Sequence, residues 1–327
     1  MDLSVRIERW PLAGAFTISR GSKTEAVVVV AELSDGTHCG RGECVPYPRY
    51  GETPDGIVAA IEAMRPALHQ GLDRAALQVE MPPGAARNAL DCAYWDVNAK
   101  QSGRRAYELA GLVAPAPRVT AYTISLATPA KMAEAAERAA SRHVLKVKLG
   151  GADGDDGRRI AAVRRAAPRS ELIVDANEGW NADSLARNIA ACADCGVTLI
   201  EQPLPEPQDD ALGSQKWPIP ICADESVHDR ATLDRLARKY DAVNVKLDKT
   251  GGLTEALALA AAAEQRGLSI MVGCMVSTSL SMAPATLLAQ QARVIDLDGP
   301  LLLAKDRPGG LRYEGSLIYP PDSTLWG

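Results

Sequence analysis

The chain has 327 residues, 46% of them apolar, and a formal net charge of −5. A chain of this length partitions into one large domain and a smaller one rather than a single small core. The acidic balance, with no Lys/Arg block interleaved with aromatics, argues against a nucleic-acid surface and toward a small-molecule partner.

The seven cysteines lack the paired spacing of a zinc site or a disulfide framework, which fits a reducing compartment. Cys192 and Cys195 form a C-x-x-C, but they share one face of an alanine-rich helical stretch and read as small packed residues. The opening MDLSVRIERW carries no apolar leader, and no uninterrupted apolar run is long enough to span a bilayer. A cytoplasmic protein without a membrane partner is expected.

In chain order, an apolar alternation (Leu3, Val5, Ile7) leads to an apolar run from Glu25 to Leu33, the turn Ser34-Asp35-Gly36 and a return from Thr37 to Cys44. This pattern predicts an antiparallel meander. Two helical stretches follow, about Pro54 to His69 and about Gly84 to Lys100. Residues 1–114 are therefore expected to form an α+β domain, ending at the junction Pro115-Ala116-Pro117.

Eight apolar strands come next: Val119 to Ser125, Val144 to Leu149, Leu172 to Asp175, Thr198 to Glu201, Ile219 to Asp224, Ala242 to Leu247, Ser269 to Gly273 and Val294 to Asp298. Helical patterns lie between them, among them Ala130 to Ser141, Ser184 to Cys195 and Thr254 to Arg266. Eight such units with polar residues at the strand ends predict an α/β fold: a (β/α)7β TIM-like barrel over residues 115–304, with the N-terminal α+β domain as its cap. The tail, 305–327, with Pro308-Gly309-Gly310 and Pro320-Pro321, is expected to return to the capping domain.

Strand order turns the charged residues into a geometry. Lys146 and Lys148 fall on the second strand, Asp175, Glu201 and Asp224 on the third, fourth and fifth, and Lys246 on the sixth. The second and sixth of eight strands are opposed, so Lys148 and Lys246 face each other across the barrel mouth with three carboxylates on the arc between them. Oxygen-only ligands with open positions suit Mg²⁺. On the eighth strand, VIDLDGP puts Asp296 and Asp298 on one face and Leu297 on the other, and a paired acidic face there calls for a cation.

A lysine removes a proton from carbon next to a carboxylate only if the resulting charge is neutralised, which a divalent cation achieves. Lys146, a second cation on the same strand face, supports Lys148 as a base. Two opposed bases allow removal from one face and return on the other, which is racemisation or epimerisation. Taken singly, each of the three carboxylates reads more readily as a helix N-cap, while the bland alternatives are a solvated strand-end lysine for Lys246 and the binding of loop amides for Asp296 and Asp298. Their common register favours a site.

Together LKVKLG, VDAN, IEQP, ADES and NVKLDKTGG resemble the enolase superfamily, muconate-lactonizing subgroup, and NALDCAYWDVNAK is similar to that family's cap-helix segment. Within the subgroup, FTISRGSKTEA, GECVPYPRYGE, MVGCMVSTS and DLDGP are similar to the dipeptide epimerases, in particular those acting on L-Ala-D/L-Glu. The resemblance implies Asp175, Glu201 and Asp224 as Mg²⁺ ligands, Lys148 and Lys246 as the acid/base pair, and Lys146 as the support of Lys148. It implies Asp296 and Asp298 as partners of a dipeptide's α-ammonium, Arg20 as the partner of a C-terminal Glu side chain, and Thr123 as a pocket wall. A murein-recycling role is implied by the family alone, and oligomeric state is left open. None of His38, His69, His143 and His228 supplies the late-strand His-Asp dyad of a mandelate-racemase-type enzyme. The rivals on the same scaffold are o-succinylbenzoate synthase or cycloisomerase chemistry and N-acylamino acid racemisation. Their substrates carry no ammonium for Asp296 and Asp298 to bind.

Overall fold

A computed structural model describes all 327 residues. Its N-terminal sheet is an antiparallel meander of β1 (Asp2–Ile18), β2 (Gly21–Ser34) and β3 (Cys39–Cys44). The strand β1 is far longer than the alternation Leu3 to Ile7 predicts. Its pairing with β2 slips between Pro11 and Phe16 and resumes to Ile18, so the hairpin tip projects beyond the sheet. Period-two alternation makes β2 serve two cores. Val29, Ala31 and Leu33 pack into the cap, whereas Val28 and Val30 join the large cluster shared with the barrel.

Five helices follow: α1 (Pro54–Glu62), α2 (Arg65–His69), α3 (Arg74–Glu80), α4 (Ala85–Ser102) and α5 (Ala106–Leu109). The stretch expected as one helix from Pro54 to His69 is two, because Pro66 has no N–H to donate and its ring crowds the carbonyl four residues back, at Glu62. Helix α4 lies directly on β3. A Cβ on Gly40 or Gly42 would collide with the carbonyl oxygens of Ala93 and Ala89.

The barrel is an eight-stranded parallel sheet in sequential order: β5 (Tyr122–Ile124), β6 (Val144–Lys148), β7 (Glu171–Asp175), β8 (Val197–Glu201), β9 (Ile221–Ala223), β10 (Ala242–Val245), β11 (Ser269–Gly273) and β12 (Val294–Asp296). The first predicted strand is divided. Arg118–Val119 forms a separate β4 that pairs with the tail, and only Tyr122–Ile124 enters the barrel. Closure between first and last strands is irregular: Ala121 N donates to Ile295 O at 2.8 Å, and Leu297 N to Thr120 Oγ1 at 2.9 Å.

Around the strands run α6 (Pro129–Arg138), α7 (Asp156–Ala166), α8 (Ala182–Asp194), α9 (Leu233–Leu236), α10 (Leu247–Thr250), α11 (Leu253–Glu264) and α12 (Ser279–Leu288), with a 3-10 segment, Glu206–Ser214, after β8. The tail strands β13 (Tyr313–Glu314) and β14 (Leu317–Ile318) form a small antiparallel sheet with β4. Beyond them Trp326 is buried, its Nε1 donating to Cys92 O at 3.0 Å, and Gly327 N donates to Asp96 on α4. No helix is long and apolar enough to cross a membrane.

Alternation along the barrel strands separates three environments. Outward residues such as Leu145, Val147, Val174, Ile200 and Val243 join the large core under the helices. Inward residues near the strand starts, among them Ile173, Leu199, Cys222, Ala242 and Met271, close the barrel floor as a small apolar layer. The next inward positions are Asp175, Glu201, Asp224, Asn244 and Gly273, so the carboxylates stand directly on this layer. The site therefore stands on a dry hydrophobic base at the C-terminal end of the strands.

Candidate active site

A cavity of about 520 Å³ occupies the barrel mouth beneath two cap segments, the β1–β2 hairpin tip and the loop from Tyr47 to Arg49. Lys146, Lys148, Asp224, Lys246, Asp296, Asp298, Thr123 and Arg20 all line it. Lys148, Asp175 and Glu201 end their strands in neighbouring register, whereas Asp224 and Lys246 lie one residue beyond theirs. None of the three carboxylates caps the helix that follows: α8 is capped by Asn181, and the turn before α9 by Asp229.

Asp175, Glu201 and Asp224 are buried, and one oxygen from each lies within 4.8 Å of the others. Lys148 Nζ is 2.6 Å from Asp175 Oδ2 and Lys246 Nζ is 2.7 Å from Asp224 Oδ2, so the opposed lysines flank the carboxylate arc. Lys146 Nζ sits within 2.6 Å of both Glu201 Oε2 and Asp296 Oδ2 and 3.2 Å from Asp175. Burial would lower the Lys146 pKa, but Asp296, Glu201 and Asp175 outweigh it and hold the ammonium charged. Lys146 is thus tied to carboxylates rather than standing as a lone cation beside Lys148.

The carboxylates respond unequally. Burial, reinforced by Asp175, pushes Glu201 up to about 8, while Lys148 and Lys146 overcome burial to hold Asp175 at about 2. Burial also opposes ionisation of Asp224, yet Lys246 and Lys249 hold its pKa well down. Glu201 Oε2, although close to Lys146, accepts no well-directed hydrogen bond. A buried all-oxygen triad whose central member resists ionisation and keeps an unsatisfied oxygen fits a hard divalent cation.

At the far side Asp296 Oδ1 is buried without a partner, and burial with Asp296 as neighbour pushes Asp298 up to about 7. Asp298 lies past the end of β12, where Oδ2 accepts Thr123 N at 2.7 Å, so part of it does bind a loop amide. Leu297 turns outward into the core. Arg20 reaches the cavity, but its guanidinium already donates to Glu225 at 2.5 Å, Tyr47 at 2.9 Å and Asn177 O at 2.7 Å. Lys23, three residues on, lines the same cavity without a carboxylate partner, and burial lowers its pKa to about 8.

Several site residues were not singled out from the sequence. Asn244 Nδ2 donates to Glu201 Oε1 at 2.7 Å, and Lys249 Nζ to Asp224 Oδ1 at 2.7 Å. Both lie in NVKLDKTGG, Asn244 two positions before Lys246 on the same strand face, so inward alternation was a usable signal. Gly273 gives Asn244 its room, since a Cβ there would strike the amide. Asn177 and Glu178, both with left-handed backbone, anchor the cap hairpin through Ser19 and Arg20. Nothing in the local pattern announces that contact.

An antiparallel cap over a parallel barrel, with three carboxylates and two opposed lysines at its mouth, defines an enolase-type enzyme fold. The profile of the mandelate racemase / muconate lactonizing enzyme N-terminal domain matches residues 1–111, and that of the enolase C-terminal domain-like family matches 131–323. The chain belongs to this family. It is 47% identical over 311 residues to the L-Ala-D/L-Glu epimerase of Escherichia coli (strain K12), covering 94% of this chain and 95% of the relative. It is 44% identical over 302 residues to an N-acetyl-D-glutamate racemase of Pseudoalteromonas sp, covering 92% and 95%. An enolase family member from Agrobacterium tumefaciens with homology to dipeptide epimerases, solved with sodium and L-Ala-L-Glu, superposes with a TM-score of 0.97 at 55% identity over 99% of both chains. A dipeptide epimerase from Enterococcus faecalis, complexed with Mg and L-Leu-L-Tyr, superposes with a TM-score of 0.90 at 28% identity, covering 98% and 96%.

Proposed function

We propose that the chain is a magnesium-dependent dipeptide epimerase that interconverts L-Ala-L-Glu and L-Ala-D-Glu by inverting the α-carbon of the C-terminal residue. The observation that carries this reading is the pair Lys148 and Lys246, placed on opposed strands and each hydrogen-bonded to an outer member of the carboxylate triad. Asp175, Glu201 and Asp224 hold the cation in this reading. Magnesium bound there supplies the positive charge that makes a proton next to a carboxylate removable.

Lys148 and Lys246 then act as base and acid from opposite faces, exchanging roles with the direction of reaction. Lys146 fixes two members of the triad, Asp175 and Glu201, and ties them to Asp296 by its three ion pairs, and it supports Lys148. Asp296 and Asp298 receive the dipeptide's ammonium, and Thr123 holds Asp298 in place through its backbone N–H. Arg20 and Lys23 form the positive wall for the side-chain carboxylate of the C-terminal Glu. We assign the cap to residues 1–114, the barrel to 115–304 and the returning tail to 305–327. The seven free cysteines suit a cytoplasmic enzyme acting on a small molecule.

A second reading is N-acylamino acid racemisation, favoured by the Pseudoalteromonas relative. The unpartnered Oδ1 of Asp296 and the neighbouring Asp298, which has no cation of its own, weigh against it, because an acylated amine brings them no positive charge. Incubation with L-Ala-L-Glu and N-acetyl-L-Glu in deuterated water, read by mass spectrometry and chiral chromatography, tests the two. Faster α-deuteration and inversion of the dipeptide supports the epimerase, and preference for the N-acetyl compound overturns it.

A further inference from the structure

A second cavity of about 440 Å³ lies beside the active-site cavity, and Phe16, Thr123 and Leu302 line both. Phe16 is the only phenylalanine of the chain. It sits where the β1–β2 register resumes after its slip, so its ring is set by the irregular hairpin and not by a continuous pleat. Lys148 Nζ and Lys23 Nζ lie 5.8 and 5.7 Å from the ring centroid. The ring therefore meets two cations of the active site while also walling the neighbouring cavity.

That neighbouring cavity has a distinct chemistry. Ile124, Ala135, Ala139 and Leu301 give it apolar walls, and Lys131, Arg138 and Arg142 stand at its edge with no carboxylate among its lining residues. Its shared wall adjoins the ammonium end of the site. Thr123 N bonds Asp298, and Leu302 ends the 3-10 turn that begins just after Asp298. A substrate whose ammonium is held by Asp296 and Asp298 thus has its N-terminal residue next to this wall.

We propose that Phe16 is a specificity-determining residue that restricts the N-terminal residue of the dipeptide to a small side chain, and that the cavity behind it suits an acidic side chain once the ring is removed. The inference rests on the dipeptide reading above. The cationic edge is what distinguishes an acidic side chain from an apolar one of similar size.

The test compares kcat/KM for L-Ala-L-Glu, L-Leu-L-Glu and L-Glu-L-Glu in the parent, Phe16→Ala, Phe16→Val, and Phe16→Ala combined with Arg138→Ala. Phe16→Ala is expected to raise the ratio of L-Glu-L-Glu to L-Ala-L-Glu tenfold or more, and Phe16→Val to raise it less. Adding Arg138→Ala should cut the gain for L-Glu-L-Glu at least threefold and leave the ratio of L-Leu-L-Glu to L-Ala-L-Glu in place. If Phe16→Ala does not fold by circular dichroism, Phe16→Val alone decides, with a threefold rise as the criterion. An unmoved or lower ratio in a folded variant overturns the proposal while an active parent leaves the epimerase reading standing. A parent inactive on every dipeptide overturns both. If Arg138→Ala leaves the L-Glu-L-Glu gain intact, the cationic edge has no part in the selection and that half of the proposal falls.

Discussion

The ammonium of Lys146 lies 2.6 Å from Asp296 Oδ2, joining the second barrel strand to the eighth past the first. The two aspartates of the eighth strand are therefore unequal: Asp296 is tied to Lys146, whereas Asp298 touches a backbone amide. Removing one partner of a desolvated charge pair costs on the order of 2 to 5 kcal/mol, and each ~1.4 kcal/mol is tenfold. We expect Asp298→Asn to lower kcat/KM for L-Ala-L-Glu roughly 30-fold or more with little change in Tm. Asp296→Asn should lower both, because it also uncovers a buried lysine. N-acetylation of the dipeptide should hurt the parent but add little to the loss in Asp298→Asn. With Asp298 pushed up to about 7, ammonium binding gains its anion as pH rises, so parent kcat/KM should climb through pH 7 and that climb should flatten in Asp298→Asn. Steady-state kinetics with thermal melts check all four outcomes.

Metal removal gives the second expectation. Chelation should abolish turnover and added Mg²⁺ restore it, and ligand-free thermal melts should show stabilisation by Mg²⁺ that Glu201→Gln removes. Full activity in a sample verified metal-free by elemental analysis would contradict this.

The opposed lysines make a directional claim. Lys148→Ala and Lys246→Ala should each stop epimerisation, yet each retained base should still exchange the α-proton of one stereoisomer with deuterated solvent. A single-lysine variant that interconverts both epimers at the parent rate would show one base to be misassigned.

Arg20 and Lys23 separate by their partners. Arg20 latches the hairpin to Asn177, Glu178 and Glu225, so Arg20→Ala should raise KM for dipeptides ending in Glu and in Gln alike, as well as narrow the preference between them. Lys23 has no such duty in the fold. Lys23→Ala should narrow the Glu over Gln preference about tenfold and leave the Gln dipeptide little affected, a loss of about 1.4 kcal/mol. Equal effects of the two substitutions on both substrates would refute the distinction.

Asp248 offers a stability test at the cap–barrel joint. It is buried, Oδ1 accepts Val45 N and Asn88 Nδ2, and burial pushes its pKa up to about 7. Because the folded protein holds this proton more tightly than the unfolded chain, its contribution is full below pH ~4 and is lost as pH rises to about 7. That loss is on the order of 4 kcal/mol at most. Asp248→Asn keeps an acceptor for both donors and removes the buried charge. We expect its Tm to gain on the parent's between pH 5 and pH 8 by several degrees, and a pH-independent difference would show that Asp248 does not titrate in this range.

Local pattern carried far into this fold. Alternation in VLKVKLG and VIDLDGP placed Lys146, Lys148, Asp296 and Asp298 inward, because a strand has only two faces and the apolar residues claim one. Strand order then opposed Lys148 to Lys246, since eight consecutive parallel strands close in sequence order. Boundaries were less legible where competing interactions decide them. Pro66 cut a predicted helix through its missing N–H, and the tail captured Arg118 and Val119 from the first predicted barrel strand.

What tertiary structure alone decided is how the charges are shared and what lies over them. Lys146 answers three carboxylates from three other strands, and Arg20 is engaged by loops more than 150 residues away, leaving Lys23 as the hairpin cation without a carboxylate partner. Side-chain periodicity reports which face a residue takes within its own element, whereas ion pairing depends on distances between elements that are remote in the chain. Sequence by itself therefore determined which strand-end charges point into the barrel, and only the packing of strand against strand and cap on barrel decided which of them are already paired and which still face the cavity.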